Sequence, residues 1–138
     1  MFVTRYTVRF ADVDNAGIFY YPRFFHAFHV AFEKWWERGV GRPYNLVLHE
    51  DRVGFPAVHI ECDFKKPVTF GDPLEIHVGV KRIGHRSVVF RYQFVHRDTG
   101  AVHCSAEITK AIVDMATWKP ITPPPEIRQA LESIVIPD

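Results

Sequence analysis

Two carboxylates stand one residue apart near the start of the chain, in the segment Asp12-Val-Asp14-Asn-Ala-Gly17. Pro22 closes this segment, and proline at a first helical position costs nothing because its missing N–H would have no intrahelical partner. Residues 20 and 21 are tyrosines and cannot cap a helix, so its first N–H groups are predicted to face a ligand oxygen, or else water or a loop carbonyl. Carboxylates beside such donors suit acid–base or nucleophilic chemistry.

A strand and a helix are predicted on either side of this segment. Inward and outward side chains alternate over residues 2–10, which is the period of a half-buried strand. From Pro22 to about Arg38 aromatic residues recur at three- and four-residue steps, as on the apolar face of a helix. Gly39 and Gly41 then supply a helix stop. The strand therefore delivers a carboxylate to the start of the helix.

Four more strands follow from two-residue alternation, over residues 58–65, 74–81, 88–94 and 102–108. Residues 39–54 are predicted to form a loop, residues 110–113 a bulge, and residues 127–134 a short amphipathic helix. One helix must cover the single apolar face of an antiparallel sheet. We predict an α+β fold over residues 1–138, a single domain in which a curved antiparallel sheet wraps one long central helix. The opposite face is predicted to meet water or a partner, and it carries Glu61, Asp63, Glu75, His77, Lys81, Arg91 and Glu107.

Composition excludes several classes of function. A formal net charge of +1 argues against bulk attraction to nucleic acid or membrane. The absence of a signal peptide and of a long apolar run predicts a cytoplasmic protein. Cys62 and Cys104 lie in mid-strand without paired spacing and are predicted to be reduced thiols. His26 and His29 lack a third ligand, so no metal site is expected. Motifs of serine hydrolases and nucleotidases are absent as well.

The segment from Asp12 to Phe24, set between a strand and a phenylalanine-rich helix, resembles the 4-hydroxybenzoyl-CoA thioesterase family of hotdog-fold enzymes. The strand order after the helix also fits, so the resemblance covers nearly the whole chain. It implies hydrolysis of an acyl-CoA thioester without a metal or redox cofactor, CoA being part of the substrate. It also implies a homodimer with the active site at the dimer interface, often paired into a homotetramer.

Carried over residue by residue, Asp14 matches the family's catalytic carboxylate, acting as nucleophile or as base for a water. The backbone N–H groups near Tyr21 would polarise the thioester carbonyl, and Gly17 would let the backbone approach the reacting carbon. Many members have a histidine at position 21, whereas the hydroxybenzoyl branch has a tyrosine, as here. That branch also has a helix carboxylate that holds the phenol hydroxyl, and the matching residue here is His29. Phe25 and His29 are therefore predicted to contact an aromatic or a short- or medium-chain acyl group.

Hydrogen-bond donors around Gly84 are the predicted CoA-binding group, because arginine and lysine suit phosphates and the family's CoA phosphates lie near this turn. The group consists of Lys81, Arg82, Arg86 and Ser87. A solvated hairpin tip is the alternative. Asp12 is predicted to make loop hydrogen bonds, and Lys65 and Lys66 are predicted to face solvent.

Two other functions fit parts of the pattern. A non-catalytic module that binds acyl-CoA or lipid would keep the pocket and the basic turn but would not need Asp14. An enoyl-CoA hydratase or dehydratase with the same fold would need a histidine paired with an acid. His29 and Glu33, one helical turn apart, are the candidates for that pair.

Overall fold

A computed structural model describes residues 1–137. Its main feature is a five-stranded antiparallel sheet wrapped around a central helix. The sheet consists of β1 (Phe2–Thr7), β3 (Ala57–Phe64), β4 (Pro73–Ile83), β5 (Ser87–His96) and β6 (Val102–Ala111). The order of the strands across the sheet is β1-β4-β5-β6-β3. The central helix α1 spans Arg23–Lys34 and continues as a π-helical turn over Trp35–Val40. The smaller elements are α2 (Tyr44–His49), β2 (Val53–Gly54), β7 (Val113–Asp114) and α3 (Pro125–Glu132).

The core lies between α1 and the inner face of the sheet, as the apolar patterns predict. Phe24, Phe28 and Phe32 are buried on one face of α1. Facing side chains of β5, among them Phe90, Tyr92 and Phe94, are also almost fully buried. Aromatic pairs join the two layers, such as Phe32 edge-on to Phe90 at 5.3 Å between ring centroids. The predicted α+β architecture, an antiparallel sheet around one long helix, is therefore confirmed.

Several predicted boundaries are wrong in detail. β1 ends at Thr7, and Phe10 is 82% exposed in a 3₁₀ turn rather than half-buried in a strand. The predicted loop over residues 39–54 contains the short helix α2. The bulge expected near residues 110–113 lies at the start of that range, with its extra residue on the neighbouring strand: the β3–β6 register shifts between Ala57 and His59, opposite Lys110 and Thr109. β6 ends at Ala111 and the chain passes into the β2–β7 pair. The Cys62 and Cys104 thiols are unbridged and lie 3.5 Å apart.

The sheet has two distinct ends that matter for the site. Thr7 lies opposite Pro73, so the segment that carries Asp14 leaves the sheet where β4 begins. β4 then runs eleven residues to Ile83 before the turn that leads to β5. At roughly 3.3 Å per residue, its two ends are about 30 Å apart. The segment that carries Asp14 and the predicted CoA-binding turn therefore lie at opposite ends of one sheet.

β3 is the last strand at one edge of the sheet, and the apolar side chains on its helix-facing side remain exposed. Val58, Ile60 and Phe64 are 63%, 45% and 51% exposed. Exposed apolar edge strands favour pairing with another strand. Within residues 1–137, no helix has both the length and the apolar character needed to span a bilayer.

Candidate active site

Asp14 opens a tight turn just before α1. Its carbonyl accepts a hydrogen bond from the Gly17 N–H at 2.9 Å, and its own N–H donates to Ile18 O at 2.9 Å. Its carboxylate accepts the Ala16 N–H at 2.8 Å and is otherwise exposed. Gly17 has φ +80°, a conformation that side chains other than glycine rarely adopt, and a Cβ there would meet nothing within 4 Å. The glycine is thus needed for the turn and not, within one chain, for a close approach.

Asp12 has the opposite environment, although only one residue separates it from Asp14. It is 1% exposed, and its carboxylate accepts hydrogen bonds from Tyr6 Oη at 2.9 Å and from the Arg9 N–H at 3.0 Å. Arg23 donates twice more, from Nε at 3.0 Å and from Nη2 at 2.7 Å. Burial works to raise the pKa of Asp12, but these hydrogen bonds outweigh it and lower that pKa. Asp12 therefore fixes the segment to β1 and α1, as predicted.

The start of α1 offers fewer free donors than the sequence predicts. Arg23, Phe24 and Phe25 donate their N–H groups to the carbonyls of residues 20, 21 and 22, at 2.9, 3.3 and 3.2 Å. The expectation that several N–H groups remain open is wrong, because a preceding turn satisfies them. The Tyr21 N–H, however, donates to no protein acceptor within residues 1–137. One backbone donor thus remains at the helix start for a ligand oxygen.

A shallow groove of about 270 Å³ lies beside Tyr21, between the start of α1 and the end of β3. The Tyr21 ring is 60% exposed and lies edge-on to Phe64, with 6.3 Å between the ring centroids. Lys65 and Lys66 are exposed, as predicted, and they also line this groove. Its remaining lining is Ile18, Phe19, Phe24, Pro67 and Val68.

A second cavity, of about 240 Å³, follows the first along α1 and β3. It contains both residues predicted to contact the acyl group, Phe25 and His29. Burial and the neighbouring Lys110 lower the pKa of His29. The other lining residues are Phe55, Ala57, Ile60, Tyr92, Ile108 and Lys110, and we call this space the Lys110 cavity.

Lys110 and Tyr92 line this cavity, although the sequence pattern did not identify them as site residues. Lys110 is only 5% exposed, and Tyr92 is 1% exposed. The signal was present, because Lys110 continues the inward-facing series of Cys104, Ala106 and Ile108 along β6. The sequence pattern predicts that the alternation breaks at Lys110, whereas the structure places this lysine at a core-facing position.

The predicted CoA-binding residues lie at the other end of the sheet from Asp14. Lys81 and Arg82 line a groove of about 590 Å³ on the solvent face of the sheet, and Lys81 Nζ donates to Glu107 at 2.7 Å. Ser87 begins β5, where its carbonyl accepts the Gly84 N–H at 2.8 Å, and Arg86 precedes it in the turn. Within one chain the structure does not bring this group to the segment that carries Asp14.

The histidine–acid pair of the alternative function is present but open to solvent. His29 Nε2 lies 3.5 Å from Glu33 Oε2, and both side chains are about half exposed. Across the described residues, no group of three or more His, Cys, Asp or Glu side chains is placed to hold a metal ion.

Comparison with known proteins places this geometry in a family. The family model for the Thioesterase-like superfamily matches residues 8–131. A 1,4-dihydroxy-2-naphthoyl-CoA hydrolase from Nostoc punctiforme is 31% identical over 129 residues, which cover 92% of this chain and 84% of that protein. A protein of the same name from Picosynechococcus sp. is 38% identical over 74 residues, 54% of this chain and half of that protein.

A solved structure of a thioesterase-superfamily protein from Jannaschia sp. CCS1 superimposes with a TM-score of 0.89 at 27% identity, covering 99% of this chain and 94% of that one. The two relatives are named for a naphthoyl substrate rather than for 4-hydroxybenzoyl-CoA, so the resemblance is confirmed at the level of the superfamily and its fold. The chain belongs to the Thioesterase-like superfamily, and its predicted enzyme class, the thioesterases, is confirmed.

Proposed function

We propose that the protein hydrolyses the thioester of an aromatic acyl-CoA, with Asp14 as the carboxylate that acts on the carbonyl. The observation that carries the proposal is the position of Asp14 in a tight turn, seven residues before Tyr21, whose N–H has no protein acceptor among residues 1–137. The relatives named 1,4-dihydroxy-2-naphthoyl-CoA hydrolase support an aromatic acyl group.

The reaction needs two things from this segment. Oxygen, from Asp14 or from a water that Asp14 deprotonates, forms a bond to the thioester carbon while negative charge develops on the carbonyl oxygen. The Tyr21 N–H at the positive end of α1 would stabilise that charge, and such donors typically contribute a few kcal/mol in a dry site. The C–S bond then breaks, CoA leaves as the thiol after gaining a proton, and the acyl group leaves as the acid. In the route where Asp14 attacks, water hydrolyses the acyl-aspartyl anhydride to restore the carboxylate.

A dry site requires a cover, and a second copy of the chain supplies one in our proposal. Asp14 is exposed in the single chain, and β3, one of the two edge strands of the sheet, carries exposed apolar residues and ends at the groove beside Tyr21. If two copies of β3 pair antiparallel about a two-fold axis, the Ala57 end of one lies beside the Phe64 end of the other. Phe64 is at the Asp14 end of the sheet, and Ala57 is at the end that carries the basic turn.

This pairing would bring the Lys81–Ser87 turn of one copy to the side on which the other copy presents Asp14. The separation of about 30 Å along β4 thus supports the homodimer, because the acyl and CoA parts of one substrate would contact different copies. The pairing of dimers into a tetramer, and Lys81, Arg82, Arg86 and Ser87 as the phosphate-binding group, remain part of the proposal.

Free thiol released from a panel of aromatic, short-, medium- and long-chain acyl-CoAs tests the activity. The panel includes 1,4-dihydroxy-2-naphthoyl-CoA. We expect the aromatic thioesters to be hydrolysed fastest and Asp14→Asn to lower kcat by at least 100-fold, since a positioned general base typically contributes that much. Asp98→Asn, the same chemical change in the exposed β5–β6 turn, is the matched control and should leave the rate unchanged.

Equal rates for wild type and Asp14→Asn would overturn the role of Asp14. Tight binding of the CoA thioesters without release of thiol over hours would instead identify a non-catalytic acyl-CoA-binding module. Loss or gain of enoyl absorbance with an enoyl-CoA would point to the His29–Glu33 pair and to a hydratase.

A further inference from the structure

Lys110 is a buried lysine without a counterion. It is 5% exposed, and the structure gives its Nζ no hydrogen bond and no ion pair among residues 1–137. The nearest groups around Nζ are aromatic faces: the Phe32 ring centroid lies 3.4 Å away and that of Phe90 lies 5.3 Å away. Buried charges are costly unless they are paired, so an unpaired one needs a reason.

The Tyr92 hydroxyl on the neighbouring strand is also unsatisfied. It is fully buried and has no hydrogen-bond partner in the described part of the chain. Its ring centroid lies 6.0 Å from Lys110 Nζ, and both residues line the same cavity. Native proteins leave few buried polar groups unpaired, and two in one cavity indicate a missing polar partner.

The other ionisable groups near Lys110 do not supply the missing polar partner. Glu33 on α1 is half exposed and pairs with His29 at 3.5 Å rather than with Lys110. Tyr44 on α2 lies behind Phe32, with 5.0 Å between those ring centroids. Burial lowers the pKa of Lys110 to about 7, against a smaller opposing effect of Glu33, so an anion entering the cavity would restore its charge.

Apart from His29, the remaining wall of the cavity is apolar and aromatic, from Phe25, Phe55, Ala57, Ile60 and Ile108. Such a wall fits a flat ring, and Lys110 and Tyr92 fit an oxygen on that ring. The cavity also follows the groove beside Tyr21 along the same helix and strand. Tyr21 stands two residues before α1 and Phe25 lies in its first turn, so an acyl group held by its carbonyl at Tyr21 would extend into the cavity.

We propose that Lys110, with Tyr92, is the specificity-determining pair of the acyl site and selects acyl groups whose ring carries an acidic oxygen, a phenolic hydroxyl or a carboxylate. This inference rests on the proposed thioesterase function and adds the residues that recognise the acyl group. The bound oxygen would accept hydrogen bonds from the Lys110 ammonium and the Tyr92 hydroxyl, and hydrogen bonds to a charged donor are among the strongest available.

Matched substrates test the proposed specificity role of Lys110 and Tyr92. Benzoyl-CoA is the reference, 4-hydroxybenzoyl-CoA adds a phenolic hydroxyl, and 4-carboxybenzoyl-CoA adds a carboxylate. For wild type we expect kcat/KM to favour at least one of the two oxygen-bearing substrates over benzoyl-CoA. Lys110→Met should reduce that preference about 10- to 100-fold, the loss typical of a charge-assisted hydrogen bond. The two substrate arms show which kind of oxygen the pair selects.

Three further variants define the effect. Lys110→Gln keeps a donor without the charge and should restore part of the preference for the hydroxyl but not for the carboxylate. Tyr92→Phe removes one atom, so the fold is preserved, and it should reduce the preference about 3- to 10-fold. Lys119→Met makes the same substitution at an exposed lysine and should leave the preference unchanged.

The outcomes separate the two proposals. If wild type hydrolyses these thioesters but Lys110→Met and Tyr92→Phe keep its preference, the specificity role is overturned and the thioesterase function stands. If wild type hydrolyses none of them, the thioesterase function fails, and calorimetric titration with 4-hydroxybenzoate and terephthalate then decides on the cavity. Binding by wild type that is lost in Lys110→Met supports the site, and equal or absent binding in both overturns it.

Discussion

Asp12 and Lys110 are both buried charged residues, and they differ in every other respect. Asp12, at 1% exposure, accepts four hydrogen bonds from Tyr6, Arg9 and Arg23. Lys110, at 5% exposure, has aromatic rings around its ammonium group and no anionic partner within residues 1–137. The surroundings of Asp12 stabilise its charged form, whereas those of Lys110 destabilise its charged form.

The contrast separates a structural charge from a candidate binding charge. A saturated carboxylate has no acceptor capacity left for a ligand, so Asp12 serves the fold. An unpaired ammonium beside an unsatisfied hydroxyl keeps its capacity for a ligand and lowers the stability of the free protein. Active and binding sites are known to carry such a cost in stability.

Removing the saturated charge should have the largest effect on stability. We expect Asp12→Asn to lower the free energy of unfolding by about 3 kcal/mol at pH 7, because it leaves the Arg23 guanidinium without its carboxylate. Urea denaturation at fixed protein concentration measures this. Asp14→Asn is the control and should change stability by less than about 0.5 kcal/mol, because Asp14 is exposed and Asn keeps an acceptor for the Ala16 N–H.

The Asp12 effect should also depend on pH in a defined direction. The folded state lowers the pKa of Asp12, so its contribution is fully present above the unfolded value of about 3.9 and is lost as pH falls through the folded value. The gap between wild type and Asp12→Asn should therefore close below about pH 4. A gap that stays constant as pH falls below 4 would contradict the assignment to the ionised carboxylate.

Removing the unpaired charge of Lys110 should change the free energy of unfolding in the opposite direction to Asp12→Asn. The pKa of Lys110 falls from about 10.4 in the unfolded chain to about 7, so burial opposes the folded state most at low pH, where both states are charged. We expect Lys110→Met to raise the free energy of unfolding by on the order of 3 kcal/mol at pH 6, since a pKa lowered by several units corresponds to a few kcal/mol.

That gain should decrease as pH rises from 7 towards 10, because the folded lysine becomes neutral first. Urea midpoints at pH 6 and pH 9 measure the change, with Lys119→Met as the exposed control. A less stable Lys110→Met protein at pH 6 would show that Lys110 is paired in the folded protein, and the contrast with Asp12 would disappear.

The smallest effect should come from the turn that Asp14 opens and Gly17 closes. Gly17→Ala should lower the free energy of unfolding by about 1 kcal/mol, because φ +80° is unfavourable for alanine although a Cβ would meet no atom within 4 Å. Thermal melting of Gly17→Ala and Gly17→Asn measures it. Asparagine tolerates this conformation better, so its loss should be smaller; equal losses would indicate a steric cause instead.

Much of the fold could be predicted because it depends on local periodicity. Strand-by-strand alternation predicted β3 to β6, and the spacing of Phe25, Phe28 and Phe32 predicted a helix with one apolar face. The boundaries failed where a few residues decide the backbone, as at Phe10 and in α2. A short turn depends on hydrogen bonds such as that from the Arg9 N–H to Asp12, which no periodic pattern records.

The candidate site divides in the same way. Asp14, Gly17 and Tyr21 could be identified from the sequence, because their motif is contiguous along the chain and opens a helix. Lys110 and Tyr92 could not, because β5 and β6 bring them to a cavity that also needs α1. Likewise, the type and order of residues determined which groups could do chemistry. Only the tertiary structure decided which buried charge is paired and which is left for a ligand, because burial and partnership are properties of side chains far apart in sequence.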